Sequence, residues 1–236
     1  MSSSPRGVAM ISGAGSGIGR EVAAALARRG HPLALIGRRA AALEAVLAES
    51  SARGLALAAD VRDAGAVEAA SRRAEAELGP IEIVLPAAGV ARVAPFLELT
   101  AADFADSVAT NLLGVANLFR ACLPGLIARR RGHLLPILSV ASRQGFPSWS
   151  AYCASKWGLA GLVAALREEL RGSGVRLTAI VPGATDSSIW DGLPGEWDRG
   201  RMIPVAEVAR AVVWALDAGA GVEIEEIRLQ PPGGNL

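Results

Sequence analysis

The sequence is poor in several residue types, and two of them occur only once. Tyr152 is the only tyrosine and Lys156 the only lysine among 236 residues, and the other basic side chains, apart from two histidines, are arginines. A chain that uses arginine elsewhere but has one lysine four residues after its one tyrosine indicates a chemical requirement that arginine does not meet. Four residues along a helix place two side chains on one face.

Cysteine and histidine are also scarce, which limits disulfides and metal sites. Cys122 and Cys153 are too few for a disulfide framework and lack the spacing of metal ligands. With only His31 and His133, a metal site would need clustered carboxylates, and the sequence shows no such cluster. We therefore expect neither a disulfide framework nor a metal.

Excess charge and long apolar runs are missing as well. The net charge is +1, so neither nucleic acid nor an anionic membrane is expected as a partner. No apolar stretch reaches the roughly 18 uninterrupted residues of a membrane span. The first apolar run, Val8 to Ile11, is too short for the core of a signal peptide. These features predict a soluble, cytoplasmic protein.

The Tyr152–Lys156 pair is a candidate acid/base device. A free phenol has a pKa of about 10, and a nearby ammonium favours the phenolate and lowers that value. General acid/base catalysis works best with a pKa near the working pH. The compact lysine ammonium and the planar arginine fork are not equivalent. The alternative is an amphipathic helix with a half-buried tyrosine and a surface lysine.

A glycine-rich segment near the start has the pattern of a phosphate-binding loop. An apolar strand at Val8 to Ile11 is followed by Ser12 to Gly19 and then by a helical pattern at Arg20 to Arg29. Glycines allow a tight turn close to a pyrophosphate, and the helix amino terminus attracts its charge. Glycines that merely cap a helix are the alternative. The candidate residues are Gly13, Gly15, Ser16, Gly17, Ile18 and Gly19.

The residues after the second predicted strand, His31 to Ile36, bear on the choice of cofactor. NAD enzymes of the Rossmann type place an acid there for the ribose 2′-hydroxyl, whereas a 2′-phosphate requires arginine. This chain has Gly37 followed by Arg38 and Arg39, which favours NADP over NAD; two solvated arginines at a helix start are the alternative. After the third strand, Asp60 is a candidate for an adenine amino group, with Val61 beside it.

The apolar runs alternate with helical patterns along the whole chain. This alternation predicts an α/β fold: a single-domain, Rossmann-type doubly wound parallel sheet of about seven strands with helices on both faces. Ligands of such sheets bind at the carboxyl ends of the strands. We expect one domain over residues 1–236, with a dinucleotide-binding part at about 1–135 and a catalytic and substrate-binding part at about 136–236. The predicted strands are Val8–Ile11, His31–Ile36, Leu55–Ala59, Ile81–Leu85, Leu134–Leu138, Val175–Val181 and Val222–Leu229.

Two polar residues stand out in the middle of the chain. A long helical pattern begins at Thr100, with Asp103 at the capping-box position, and contains Asn111, whose side chain competes for backbone hydrogen bonds. A functional kink or a water-holding role is one interpretation, and a tolerated polar residue is the other. Ser139 ends the fifth predicted strand, thirteen residues before Tyr152.

With these motifs the chain resembles the short-chain dehydrogenase/reductase family over nearly its whole length. The family's Thr-Gly-x-x-x-Gly-x-Gly corresponds to Ser12 to Gly19, and its Tyr-x-x-x-Lys to Tyr152 to Lys156. Its catalytic serine corresponds to Ser139, its active-site asparagine to Asn111 and its Pro-Gly to Pro182-Gly183. One departure is marked: the family's Asn-Asn-Ala-Gly is Pro86-Ala87-Ala88-Gly89 here.

The resemblance implies hydride transfer between nicotinamide and a carbonyl or alcohol carbon. Tyr152 would exchange the proton, Ser139 would polarise the carbonyl, and Lys156 would bind the nicotinamide ribose and lower the tyrosine pKa. Asn111 would hold a water that links Lys156 to solvent. Further cofactor contacts are expected from Gly89, Pro182, Gly183, Thr185 and Ser187.

Four aromatic residues flank the inferred site, which makes a mainly apolar ketone or aldehyde the expected substrate. Packing within a lid is the alternative role of these rings. An acyl-thioester ketoreductase would need basic residues at the pocket mouth, for which Arg92, Arg143 and Arg199 are candidates, and a cofactor-sensing module without catalysis is a further alternative. The resemblance also suggests a homotetramer or homodimer. The aromatic residues are Phe146, Trp149, Trp190 and Trp197.

Overall fold

The computed structural model describes residues 6–219 and 221–234, and over these ranges strands alternate with helices. The first four strands start and end within two residues of the predicted positions. The strands are β1 (Val8–Ser12), β2 (Leu33–Gly37), β3 (Gly54–Ala58), β4 (Ile81–Pro86), β5 (Gly132–Leu134), β6 (Val175–Leu177), β7 (Ala179–Pro182), β8 (Thr185–Asp186), β9 (Ile203–Pro204) and β10 (Glu226–Leu229). The α-helices are α1 (Gly17–Arg28), α2 (Ala40–Ser50), α3 (Ala64–Leu78), α4 (Ala101–Val108), α5 (Gly114–Ala128), α6 (Ser150–Leu170) and α7 (Val205–Asp217).

The central sheet is parallel, with six strands in the order β3-β2-β1-β4-β5-β6. After Thr178 the chain of β6 continues as β7, which pairs in parallel with β10 and touches the β5 segment through an Ile137–Ile180 bridge. The parallel array therefore has seven positions, as predicted. The order reverses between β1 and β4, and the carboxyl ends of these strands meet at one edge.

Three predicted strands differ from those observed. β5 ends at Leu134 and not at Leu138, and the predicted sixth strand is divided at Thr178 into β6 and β7. Proline lacks an amide donor, so Pro86 on one side and Pro136 within the segment remove rungs from the ladder. Isolated hydrogen bonds, such as that from Ile137 N to Pro86 O at 3.2 Å, continue the contact between the two strands beyond the ladder. The last strand begins at Glu226 and not at Val222.

The sheet is covered by helices on both faces, and alternate residues of β1 supply the two cores. Ala9 and Ile11 are buried with residues of α1, α2 and α7, whereas Val8 and Met10 are buried with residues of α3, α5 and α6. All four side chains are at most 1% exposed. Strands buried on both faces read as continuous apolar runs, which is why the sequence signalled them clearly.

The long helix predicted from Thr100 is divided by a π-helical turn. The capping box is confirmed: Asp103 N donates to Thr100 Oγ1 and Thr100 N donates to Asp103 Oδ2. A π-helix at Ala109–Leu113 separates α4 from α5 and contains Asn111. By length and composition, Ala101–Ala128 is also apolar enough to cross a membrane, a test that core helices of soluble proteins pass as well.

Candidate active site

The glycine loop joins β1 to α1 at the carboxyl edge of the sheet, and two of its glycines have no room for a side chain. Gly13 has φ +67°, and a Cβ there would lie 2.6 Å from Ala88 N. A Cβ on Gly19 would lie 2.5 Å from Gly13 O. Gly19 is thus buried beneath the turn, whereas Gly13, Gly15 and Ser16 line the surface. The backbone is open where a pyrophosphate would lie.

Two adjoining clefts open on this edge and share residues of the loop. The large cleft measures about 290 Å³ and lies over the catalytic candidates. The small cleft measures about 170 Å³ and lies over the ends of β2 and β3. Both are bounded by Gly13, Ser16, Ala88 and Gly89. Two cavities joined by a glycine turn fit the two halves of a dinucleotide.

The small cleft is where the predicted adenine-side residues meet. Arg38, Arg39, Asp60 and Val61 all line it, together with Arg62, which the sequence reasoning missed. Arg62 donates from Nε and Nη2 to both oxygens of Asp60 and from Nη1 to Asp106. The Arg62 hydrogen bond holds the pKa of Asp60 below its usual value. The spacing of Asp60 and Arg62, two residues apart in the sequence, was the signal that could have predicted this ion pair.

Ser139, Tyr152 and Lys156 come together in the large cleft. Ser139 caps a 3₁₀ turn after the fifth strand, whereas Tyr152 and Lys156 lie one turn apart on α6. The Ser139 side chain lies near that of Tyr152 and acts to lower the pKa of its phenol. Lys156 Nζ lies 5.7 Å from the tyrosine ring centroid and donates to Ile137 O at 2.9 Å. The three polar groups needed for carbonyl chemistry therefore share one cavity.

Burial dominates the ionisation of this pair. It raises the pKa of Tyr152 to about 12, with the Ser139 side chain acting in the opposite direction. It lowers the pKa of Lys156 to about 8. The expected lowering of the tyrosine pKa by lysine is thus not found in this structure, because the ammonium is directed to the Ile137 carbonyl. Tyr152 is a protonated phenol at neutral pH.

Asn111 lines neither cleft and is buried in the protein interior behind them. Its side chain is fully buried and donates from Nδ2 to Val90 O and Ser155 Oγ, while Oδ1 accepts from Val90 N. Ser155 in turn donates to Tyr152 O at 2.7 Å. Asn111 therefore ties the segment after β4 to the helix that carries the tyrosine. All polar atoms of its side chain are used in these bonds.

The segment after β7 covers the large cleft. Pro182, Gly183, Thr185 and Ser187, the residues expected beside the nicotinamide, line it. Thr185 Oγ1 donates to Gly183 O, and Ser188 Oγ donates to Ser16 Oγ at 3.0 Å. The hydroxyl contact brings this covering segment against the glycine loop.

The aromatic candidates form one wall of the large cleft, which Phe146, Trp149, Trp190 and Trp197 all line. Trp149 makes edge contacts with Tyr152, Trp190 and Trp197, with ring centroids 5.5, 5.6 and 6.1 Å apart. Trp149 therefore contacts the ring of Tyr152 directly, and Trp190 and Trp197 contact Trp149. No group of three metal-ligating side chains is found among residues 6–219 and 221–234.

The fold and the site together define an α/β oxidoreductase, and comparisons specify the family. Residues 7–195 match the short chain dehydrogenase family. The sepiapterin reductase of Chlorobaculum tepidum is 34% identical over 97% of this chain and 98% of its own. A solved structure of an alcohol dehydrogenase from Thermococcus sibiricus, complexed with 5-hydroxy-NADP, has a TM-score of 0.89 and 30% identity, covering 98% of both chains. The chain belongs to the short-chain dehydrogenase/reductase family.

A third relative is much longer than this chain. The glycine betaine reductase ATRR of Emericella nidulans is 35% identical over 95% of this chain, which spans 18% of that protein. The relatives therefore include both proteins of similar length and one in which the matching region is a minor part. All three carry names of oxidoreductases.

Proposed function

We propose that this enzyme reduces a mainly apolar ketone or aldehyde to an alcohol with NADPH, or catalyses the reverse reaction. The observation that carries the proposal is the position of the Tyr152 phenol. It lies with Ser139 in a cleft that is also lined by the glycine loop and by aromatic rings. A carbonyl group placed there would meet a proton donor and a second hydroxyl at once.

Each polar residue has a distinct task in this proposal. Bound NADPH would supply a hydride to the carbonyl carbon. Tyr152 would give its phenolic proton to the carbonyl oxygen, and Ser139 would donate a hydrogen bond to the same oxygen as charge develops there. Lys156, now bound to Ile137 O, would hold ribose hydroxyls. Asn111 would act as a positioning residue, since it holds Ser155, which donates to Tyr152 O.

The small cleft supports NADP over NAD. Arg38 and Arg39 both line it, and Gly37 stands where an acid would contact a ribose 2′-hydroxyl. The one carboxylate in the lining, Asp60, is bound by Arg62 and is thereby neutralised. A 2′-phosphate would therefore meet net positive charge. The similar alcohol dehydrogenase from Thermococcus sibiricus was solved with a derivative of NADP, which agrees with this preference.

The alternative functions have less support. A carrier-bound thioester would need cations at the mouth, but Arg92, Arg143 and Arg199 each face a carboxylate, of Asp103, Glu226 and Asp186 respectively. A non-catalytic cofactor sensor would have no use for a phenol and an ammonium in one cleft with Ser139. Both alternatives account for fewer of the residues in the cleft than carbonyl reduction does.

The test is a titration of the purified protein with NADPH and NADH, followed by nicotinamide fluorescence and by turnover of a panel of carbonyl compounds. We expect Tyr152→Phe to lower kcat by at least about 100-fold, because the proton donor is lost, and to leave NADPH affinity within about twofold. We expect the wild type to favour NADPH over NADH by at least about tenfold, or about 1.4 kcal/mol.

Arg38→Asp is the matched change at the cofactor end, and it should remove that preference while retaining binding of NADH. Turnover that survives in Tyr152→Phe would refute the proton-donor role. An NADH preference in the wild type would refute the arginine assignment, and binding of neither nucleotide would refute the proposed function as a whole.

A further inference from the structure

Three tryptophans form a cluster in the large cleft. Trp149, Trp190 and Trp197, hereafter the tryptophan cluster, have ring centroids 4.8 to 6.1 Å apart and planes inclined to one another by 54° to 77°. The three rings pack against one another, edge to face or tilted, and all three line the large cleft, so a group bound there lies against tryptophan rings. Ring faces carry negative electrostatic potential and attract cations.

The cleft offers a cation these faces but no carboxylate. None of the described residues that line it is Asp or Glu, and the one charged residue is Lys156, whose ammonium is bound to Ile137 O. A primary ammonium or a guanidinium in such a site would have N–H donors without a carboxylate partner. A quaternary ammonium has no N–H group, and ring faces alone satisfy it. The lining, which has hydroxyls but no carboxylate, therefore favours a quaternary ammonium over cations that need a carboxylate partner.

The segment that carries two of these tryptophans is acidic. Residues 184–198 contain four carboxylates and no basic side chain. Asp186 and Asp191 share Arg199, so this group of three retains one negative charge, to which Glu196 and Asp198 add two more. All four carboxylate residues are exposed. Negative charge on the segment that covers the cleft steers cations toward this segment over several ångströms and loses strength with added salt.

We infer that the substrate of this enzyme carries a quaternary ammonium group, which the tryptophan cluster holds while its carbonyl or hydroxyl group meets Tyr152 and Ser139. The inference rests on the proposed function and adds the substrate class to it. The tryptophan rings next to Tyr152, the hydroxyls of Tyr152 and Ser139, and an acidic rim formed by the exposed carboxylates of residues 184–198 each correspond to one part of such a molecule. A neutral aromatic carbonyl compound would use the rings but not the rim.

A pair of isosteric alcohols separates charge from shape. Choline and 3,3-dimethylbutan-1-ol differ only in the nitrogen or carbon that bears the three methyl groups. Each is titrated into the protein saturated with NADP⁺ by calorimetry, and its oxidation to the aldehyde, with release of NADPH and one proton, is followed by NADPH absorbance. We expect choline to be favoured by at least about tenfold in both Kd and kcat/KM. That preference should shrink as salt is added.

Variants assign the preference to the cluster. Trp197→Leu should reduce the choline-to-isostere ratio severalfold, and Trp197→Phe should restore part of it because a ring face returns. Trp214→Leu is the matched control: Trp214 is 61% exposed on α7, does not line the large cleft, and its loss should leave the ratio unchanged. NADPH affinity, measured for every variant, verifies folding.

The outcomes distinguish this inference from the proposed function. If NADP-dependent turnover is found but the neutral isostere binds and reacts as well as choline, the quaternary ammonium is refuted while carbonyl–alcohol chemistry stands. A ratio that survives in Trp197→Leu and in a matching Trp190→Leu also refutes the role of the cluster. If the panel of carbonyl compounds and both alcohols give no turnover, the proposed function fails, and this inference fails with it.

Discussion

At the scale of single residues, the unusual feature is an ionisable tyrosine–lysine pair that has no second tyrosine or lysine elsewhere in the chain. Tyr152 and Lys156 are the only tyrosine and lysine in the chain. Burial favours the neutral form of each group. It raises the pKa of the phenol to about 12 and lowers the pKa of the ammonium to about 8. Desolvation penalises the charged form of either group, so these opposite shifts have one cause.

This singularity allows a direct measurement of the phenol. Because no other tyrosine contributes, the tyrosinate absorbance of the cofactor-free protein reports Tyr152 alone. We expect one transition with a midpoint at a pH of about 12, well above the ordinary pKa of 10. Since the folded state keeps its proton between these two values and the unfolded state loses it, this group makes stability fall as the pH rises from 10 to 12.

Two controls accompany that titration. Ser139→Ala should move the midpoint upward, because the Ser139 side chain acts to lower the pKa of Tyr152. Circular dichroism at each pH verifies that the chain is still folded. A midpoint at or below 10 in the folded protein would show that the charge of Lys156, and not burial, governs the phenol.

At the scale of elements, the π-helical turn at Ala109–Leu113 connects fold and site. π-turns insert an extra residue into a helix and occur often at functional sites. Here the turn contains Asn111, whose three side-chain hydrogen bonds reach Val90 and Ser155. The π-turn thus positions the Asn111 side chain to link the segment after β4 to α6. A continuous α-helix would place this side chain elsewhere.

Replacing Asn111 by Ala should therefore destabilise the protein by about 3 kcal/mol, because it removes both side-chain partners of the Val90 amide and carbonyl and one of the two hydrogen bonds of the buried Ser155 hydroxyl. Asn117→Ala on α5 is the matched control. Asn117 is half-buried and bonds only to the backbone of Val61 and Arg62, so its loss should cost about 1 kcal/mol. The measurement is urea unfolding, and equal losses of stability in the two variants would contradict the bridging role of Asn111.

For Asn111→Ala, enzyme kinetics add a test that stability does not give. If Asn111 positions Tyr152 through Ser155, kcat should fall and its pH dependence should shift, while NADPH affinity changes little. A variant that is only less stable would keep the kcat and pH profile of the wild type below its unfolding temperature.

The sequence predicted most elements because fully buried strands and glycine turns leave strong local signals. β1 to β4 and the glycine loop lie where their patterns placed them, and Tyr152 and Lys156 lie on one helix, α6. The end of β5 had a local signal in Pro136, which lies within the predicted strand, but the division at Thr178 was not predicted, because it depends on the neighbouring segment that contains Pro136, which only the sheet pairing brings beside it. Likewise, the Arg62 contact with Asp106 joins residues 44 apart, a distance that no local pattern reveals.

At the scale of the whole molecule, large apolar side chains remain exposed on the α5–α6 side of the sheet and, at Trp214, on the other side. Leu113 is 52% exposed, Ile127 45% and Trp157 51%, and these residues lie on the π-turn, α5 and α6. Gly158 of α6 contacts Leu112 of the π-turn, where a Cβ would lie 2.9 Å from Leu112 Cδ2. Its role is therefore to seat α6 on the π-turn.

We propose that this face, defined by Leu113, Ile127 and Trp157, is where the chain forms a homodimer or homotetramer. Large exposed aromatic and aliphatic groups on one surface favour association, since their burial removes apolar area from water. Trp157→Glu would put a charge into that contact and should halve the mass measured by light scattering after size exclusion, with folding verified by NADPH binding.

Trp214→Glu makes the same change on α7, on the opposite face of the sheet, where Trp214 is 61% exposed. If the chain is a dimer through the α5–α6 face alone, this variant keeps the mass of the wild type. If the chain is a tetramer with a second contact at α7, this variant instead yields dimers, so the two substitutions together give the number of interfaces. An unchanged mass for Trp157→Glu, or a monomeric wild type, would contradict association through this face.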